Sequence, residues 1–119
     1  MKRLIVLSAL CFGIGVNVAF ANNDYWLCVA PSGDTSQTMW LSDVFHYGNN
    51  DAPSHEKINH AWIGYLGGSQ NANINARATH CDTYGSPEEA QSNKAAYTKG
   101  NQNSGWKTVD THWVYREDQ

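Results

Sequence analysis

Few residues in this chain have types and spacings that could do chemistry, and the five histidines come first. His55-Glu56-Lys57-Ile58-Asn59-His60 nearly reproduces the zinc-protease helix motif, in which two histidines four apart share one helical face and flank a general-base glutamate. Here they are five apart, which at 3.6 residues per turn swings the second imidazole round by about 140°. His46, His80 and His112 fall in no ligand spacing, so neither a metal nor another cofactor is expected. A glycoside hydrolase needs two carboxylates facing each other across a cleft, and Asp43, Glu56, Asp82 and Asp110 are candidates by type alone. Ser42 and Ser86 lie in no Gly-x-Ser-x-Gly elbow, and Gly64-Tyr65-Leu66-Gly67-Gly68 ends a helix where a phosphate cradle would open one. Cys81 beside His80 would be a nucleophile only in a reducing compartment. The inventory favours a binding protein over an enzyme.

Aromatic side chains are the surplus. Five Trp, six Tyr and three Phe exceed what one small core requires. Three or four of these rings suit the core, and any Trp or Tyr left outside would stack on sugar rings or anchor a protein interface.

At 119 residues, 41% hydrophobic and 16% charged, the chain has room for one globular domain. Lys2 and Arg3 precede an apolar run from Leu4 to Val18 that closes on Ala19-Phe20-Ala21, which reads as a cleaved signal peptide over residues 1–21. The mature domain would then be residues 22–119, exported to the periplasm and with no membrane attachment. Cleavage leaves six basic against eleven acidic side chains, a net charge of −5. That sign disfavours nucleic acid and suits a basic protein partner. Cleavage also leaves Cys28 and Cys81 as an even pair, read as one disulfide closing a loop of roughly fifty residues, worth about 4 kcal/mol by chain entropy.

The elements that must position these residues follow from periodicity. Asn23 to Ala30 is apolar on both sides of its alternation, as a central strand is. Pro31-Ser32-Gly33-Asp34 turns the chain into a second strand, Thr35 to Tyr47, with a bulge expected near Ser42. Ile58, Ala61, Trp62, Tyr65 and Leu66 fit the i, i+3, i+4 template of a helix over 54–66, started by Pro53 or Ser54 and stopped by Gly67-Gly68. A polar loop over 69–76 leads to a third strand over 77–82 and a turn at Thr83-Tyr84-Gly85. Ser86-Pro87-Glu88-Glu89 is a capping box opening a second helix that ends at Gly100, with Lys94 and Lys99 toward its C-terminal end. A second polar loop, Gly100 to Gly105, precedes a last strand over 106–116. The expected fold is α+β: a four-stranded antiparallel sheet with two helices packed on it, in the order ββαβαβ.

Asn23-Asp24-Tyr25-Trp26-Leu27-Cys28, Met39-Trp40-Leu41-Ser42-Asp43-Val44-Phe45, Thr79-His80-Cys81-Asp82 and Trp113, together with the leader, resemble a periplasmic immunity protein of a type VI secretion system. That family neutralises a valine-glycine-repeat spike effector bearing a peptidoglycan-degrading domain. The resemblance implies that the chain occludes the cleft of a lysozyme-like muramidase, and that it is a homodimer. An exported carbohydrate- or peptidoglycan-binding module without a protein partner is the other binding reading, and a small periplasmic hydrolase the catalytic one.

A blocking element for a sugar cleft should protrude, carry donors and stand on rigid ends. Tyr97, Lys99, Gly100, Asn101, Asn103, Ser104 and Trp106 fit that description, supported by the loop over 69–75. Lys99 would face a catalytic carboxylate, Asn and Ser would mimic sugar hydroxyls, and the two aromatics would anchor. The competing reading makes Gly100 a helix stop, Lys99 a dipole partner and Trp106 a core residue.

Overall fold

The computed structural model describes residues 23–117; the leader expected over 1–21 lies outside them. Strand β1 (Tyr25–Pro31) is buried from Trp26 to Ala30, as its two apolar faces require. β2 (Thr38–Leu41) and β3 (Phe45–His46) pair with it antiparallel, and between Val29↔Leu41 and Trp26↔Phe45 the register slips by one residue. The two pieces are thus one strand broken by the bulge expected near Ser42. Ser42 patches the break: its Oγ accepts from Cys28 N at 2.9 Å, and its own N donates to Cys28 O at 3.0 Å.

Helix α1 (Ala52–Gly68) begins two residues before the expected start, because Asp51 is the N-cap and accepts from Ser54 N at 2.9 Å. Ile58, Trp62 and Leu66 are buried on the sheet face that presents Trp26, Cys28 and Ala30. The buried indoles are satisfied, Trp26 donating to Tyr47 O and Trp62 to Val29 O. Residues 69–78 run back along the end of β1, where Ser32 bridges Ile74 and Gly33 N donates to Asn73 O. An added Cβ on Gly33 would lie 2.9 Å from Ile74 O, so only glycine admits this approach.

β4 (His80–Tyr84) pairs along β1 from Tyr25↔Tyr84 to Val29↔His80. It includes the expected turn Thr83-Tyr84, since this ladder is longer than local turn signals suggest. Cys28 and Cys81 face each other in that register and form the disulfide, 53 residues apart. The bridge places the folded chain in a non-reducing compartment. No helix among the described residues is long and apolar enough to cross a membrane.

The capping box forms with its return bond displaced by one residue. Ser86 Oγ accepts from Glu89 N at 3.1 Å, and Glu89 Oε1 accepts at 3.1 Å from the N–H of Gly85, just before the N-cap. Helix α2 (Pro87–Ser104) then runs through Gly100 and ends at Gly105, whose φ of 81° is the left-handed stop. The loop expected over 100–105 is therefore the helix's last turn. α2 lies across the face opposite α1, where Tyr97 packs on Leu27, Val29 and Leu41. It buries only Ala90 and Asn101, and polar contacts add to the packing of Tyr97. Lys94 reaches Asp110 at 3.0 Å and Asp43 at 3.5 Å, and so is a sheet anchor instead of the expected dipole partner. Asn101 Nδ2 donates to Thr108 Oγ1 at 2.9 Å.

β5 (Lys107–Asp110) pairs with β2 in parallel, which corrects the all-antiparallel sheet. α2 returns the chain to the end of the sheet where β4 began, so the next strand must run as β4 does. The sheet order is β4-β1-β2/β3-β5, and the element order is βββαβαβ in place of ββαβαβ. The last strand ends at Asp110 because His112 takes φ 60°, turning Trp113 onto the α1 side. There it meets Phe45, Trp62 and Tyr65. Trp26, Trp62 and Trp113 are buried and Trp40 and Trp106 half-buried, which accounts for most of the aromatic surplus.

Replacing Cys28 and Cys81 together by alanine removes the tie between β1 and the edge strand and is expected to cost about 2–5 kcal/mol. Urea unfolding of the two proteins checks this, and thiol titration of the denatured, unreduced wild type should find neither cysteine free.

Candidate functional site

The residues picked out between Tyr97 and Trp106 lie on a helix and its stop, and the helix sorts them. Asn93, Ala96, Tyr97, Gly100 and Asn101 recur at the spacing of one helical face and line a groove of about 300 Å³. Tyr97 is half-buried at the groove's inner wall. Asn101 is buried, and its side chain is committed to Thr108, so its expected role as a sugar mimic is not what its geometry serves. Trp106 is half-buried and donates its backbone N–H to Asn101 O at 2.8 Å, closing the helix end. Lys99, Asn103 and Ser104 are exposed on the last turns, and Ser104 Oγ folds back to Gly100 O at 2.8 Å.

Gly100 is the informative member. It has no left-handed φ, and a Cβ placed on it would meet nothing within 4 Å. Neither backbone conformation nor packing requires glycine there, while mid-helix glycine costs about 0.8–1.0 kcal/mol relative to alanine. What its missing side chain does is leave the groove floor open to a close approach. Sequence reasoning missed Asn93 and Ala96 because ending the helix at Gly100 hid the stripe that continues through it.

Burial sets the electrostatics of the sheet side of this helix. It pushes the Tyr84 phenol up to about 12, with the charge of Asp82 adding to the shift, and raises Tyr97 above its ordinary value for the same two reasons. Both phenols therefore stay neutral and present a donor at physiological pH. A second groove of about 370 Å³ lies between α1 and β4, lined by Ala52, His55, Glu56, Asn59, His80 and Cys81.

No family model matches the chain, and neither curated proteins nor solved structures give a match. Function must therefore be argued from the residues and their geometry.

Because the Tyr84 phenol titrates near 12 when folded and near 10 when unfolded, its contribution to stability is intact below pH 10 and lost as pH rises through 12. Tyr84→Phe should flatten the fall in denaturation midpoint across that window, and ultraviolet titration of tyrosinate should lose its most alkaline step.

Proposed function

We propose that this protein is a periplasmic immunity protein of a type VI secretion system. It binds the peptidoglycan-degrading, muramidase-type domain of a cognate spike effector and occludes its active cleft. The observation that carries the reading to a surface is Gly100, a helix-interior glycine that neither its backbone nor its neighbours require and that lines the groove beside Tyr97. The resemblance of the Asn23–Cys28, Met39–Phe45 and Thr79–Asp82 segments and Trp113 supplies the class of partner. A disulfide-tied fold suits the compartment in which such an enzyme meets its substrate. A net charge of −5 after leader cleavage suits a cationic wall hydrolase and speeds its capture.

In this reading the outer face of α2 enters the cleft. Lys99 pairs with a catalytic carboxylate, Asn103 and Ser104 offer hydrogen bonds in place of sugar hydroxyls, and Tyr97 and Gly100 receive the cleft's rim. The homodimer implied by the resemblance is part of the same proposal, with α2 left accessible on each copy.

Gly100→Ala separates stability from function. It should raise the melting temperature, since alanine stabilises a helix interior, while weakening inhibition of the hydrolase by about tenfold or more, roughly 1.4 kcal/mol. Lys99→Glu combined with Asn103→Ala should cost at least about 2 kcal/mol of binding with the fold intact. Inhibition unchanged in both folded variants would remove α2 from the interface.

A further inference from the structure

We propose that the free edge of β4, together with the groove between it and α1, binds an extended peptide segment that carries an arginine. Among the described residues β4 pairs with β1 alone and closes the sheet on its side. Which of its backbone groups face outward follows from Cys28. The Cys28 N–H donates to Ser42 Oγ and its carbonyl accepts from Ser42 N, so both point toward β2 and neither toward β4. The register sets Cys81 opposite Cys28, and in an antiparallel ladder opposite residues exchange both bonds or neither. Cys81, and Thr83 two residues on, therefore turn their N–H and C=O groups out of the sheet, where a further strand would add.

The groove of about 370 Å³ beside this edge determines which side chain that strand should bring. Cys81 faces α1, because the cysteine it is bonded to belongs to the cluster that α1 covers. A residue added opposite Cys81 projects to the same face, and so into the groove. There Asn59 Oδ1 is buried with no donor, the one side-chain atom so placed among the described residues. Leaving a buried acceptor unpaired costs about 1–3 kcal/mol, so an arriving N–H gains more here than at a hydrated position.

The two histidines of the groove are already occupied. His55 packs its ring 4.6 Å from that of Trp26, and His80 sets Nδ1 2.9 Å from Ala78 O and Nε2 3.2 Å from Asp82 Oδ2. Glu56 is not: it is exposed three residues before Asn59, hence on the same side of α1, and no described lysine or arginine pairs with it. A buried amide oxygen beside a free carboxylate selects a donor that is cationic and carries several N–H groups. The guanidinium fork serves both acceptors at once, which a single ammonium does less well. Nothing in this inference depends on the immunity reading, whose surface is α2 on the other side of the sheet.

The test follows the backbone amide signals of the isotopically labelled protein as a capped pentapeptide of valines and threonines, with arginine at its centre, is added. Saturable shifts are expected at Cys81, at Thr83 and along α1 from His55 to Asn59, with a dissociation constant of about 1 mM or tighter. Norleucine in place of the arginine should weaken binding by at least about tenfold, since it leaves Asn59 and Glu56 without a donor. Methylating the arginine's backbone nitrogen should do the same by deleting the bond to the Cys81 carbonyl. Asn59→Ala, and Glu56→Gln at an exposed position, should each weaken the arginine peptide and leave the norleucine peptide unchanged. The proposal is overturned by the absence of a saturable shift, by shifts that spare Cys81 and Thr83, or by equal affinity for the arginine, norleucine and methylated peptides. Wild-type affinity for the arginine peptide in both folded variants would overturn it too.

Discussion

Everything in this fold depends on β1 being buried on both faces and paired on both edges. Five consecutive residues, Trp26 to Ala30, lie in the interior. A strand of that kind cannot rest on a solvated sheet, so each face needs its own cover: α1 supplies one, α2 the other. The same demand places β4 along one edge and the broken strand β2/β3 along the other. The Cys28–Cys81 bridge ties the central strand to its neighbour where the two are in register.

The two covers are held in different ways. α1 offers Ile58, Trp62 and Leu66 to a cluster of rings, so its attachment is apolar and scales with buried area. α2 buries one alanine and one asparagine, and depends on Lys94, Asn101 and the half-buried Tyr97. A helix attached through a few polar anchors belongs to the less stable part of a molecule. It is also free to spend its exposed side on something other than packing, and the groove that Gly100 lines runs along the flank of the helix, with the half-buried Tyr97 and the buried Asn101 on its sheet side.

Much of this architecture could be read in advance where the deciding interactions are local. The Ser86–Glu89 capping box, the α1 stripe, the two-faced β1 and the bulge at Ser42 each follow from spacing within a dozen residues. Gly100 and Gly105 offered the same stop signal, and only the tertiary anchor at Asn101 and the left-handed φ of Gly105 decide between them. The parallel pairing of β5 depends on where α2 delivers the chain, which no local pattern encodes. The convergence of Asp43, Lys94, Asp110 and His112 was hidden for the same reason: it joins a bulge, a helix and a turn that meet only once the sheet has formed.

The central claim is that the outer face of α2 is the surface a cationic wall hydrolase meets. Hydrogen exchange of the protein, alone and in complex with its cognate hydrolase, addresses it most directly, because a weakly anchored helix exchanges fast enough for protection to be seen. Slowed exchange across residues 93–104, with α1 unchanged, is the result this account predicts. Exchange over α2 unaltered by a bound hydrolase, with protection appearing on the α1 side, would contradict it.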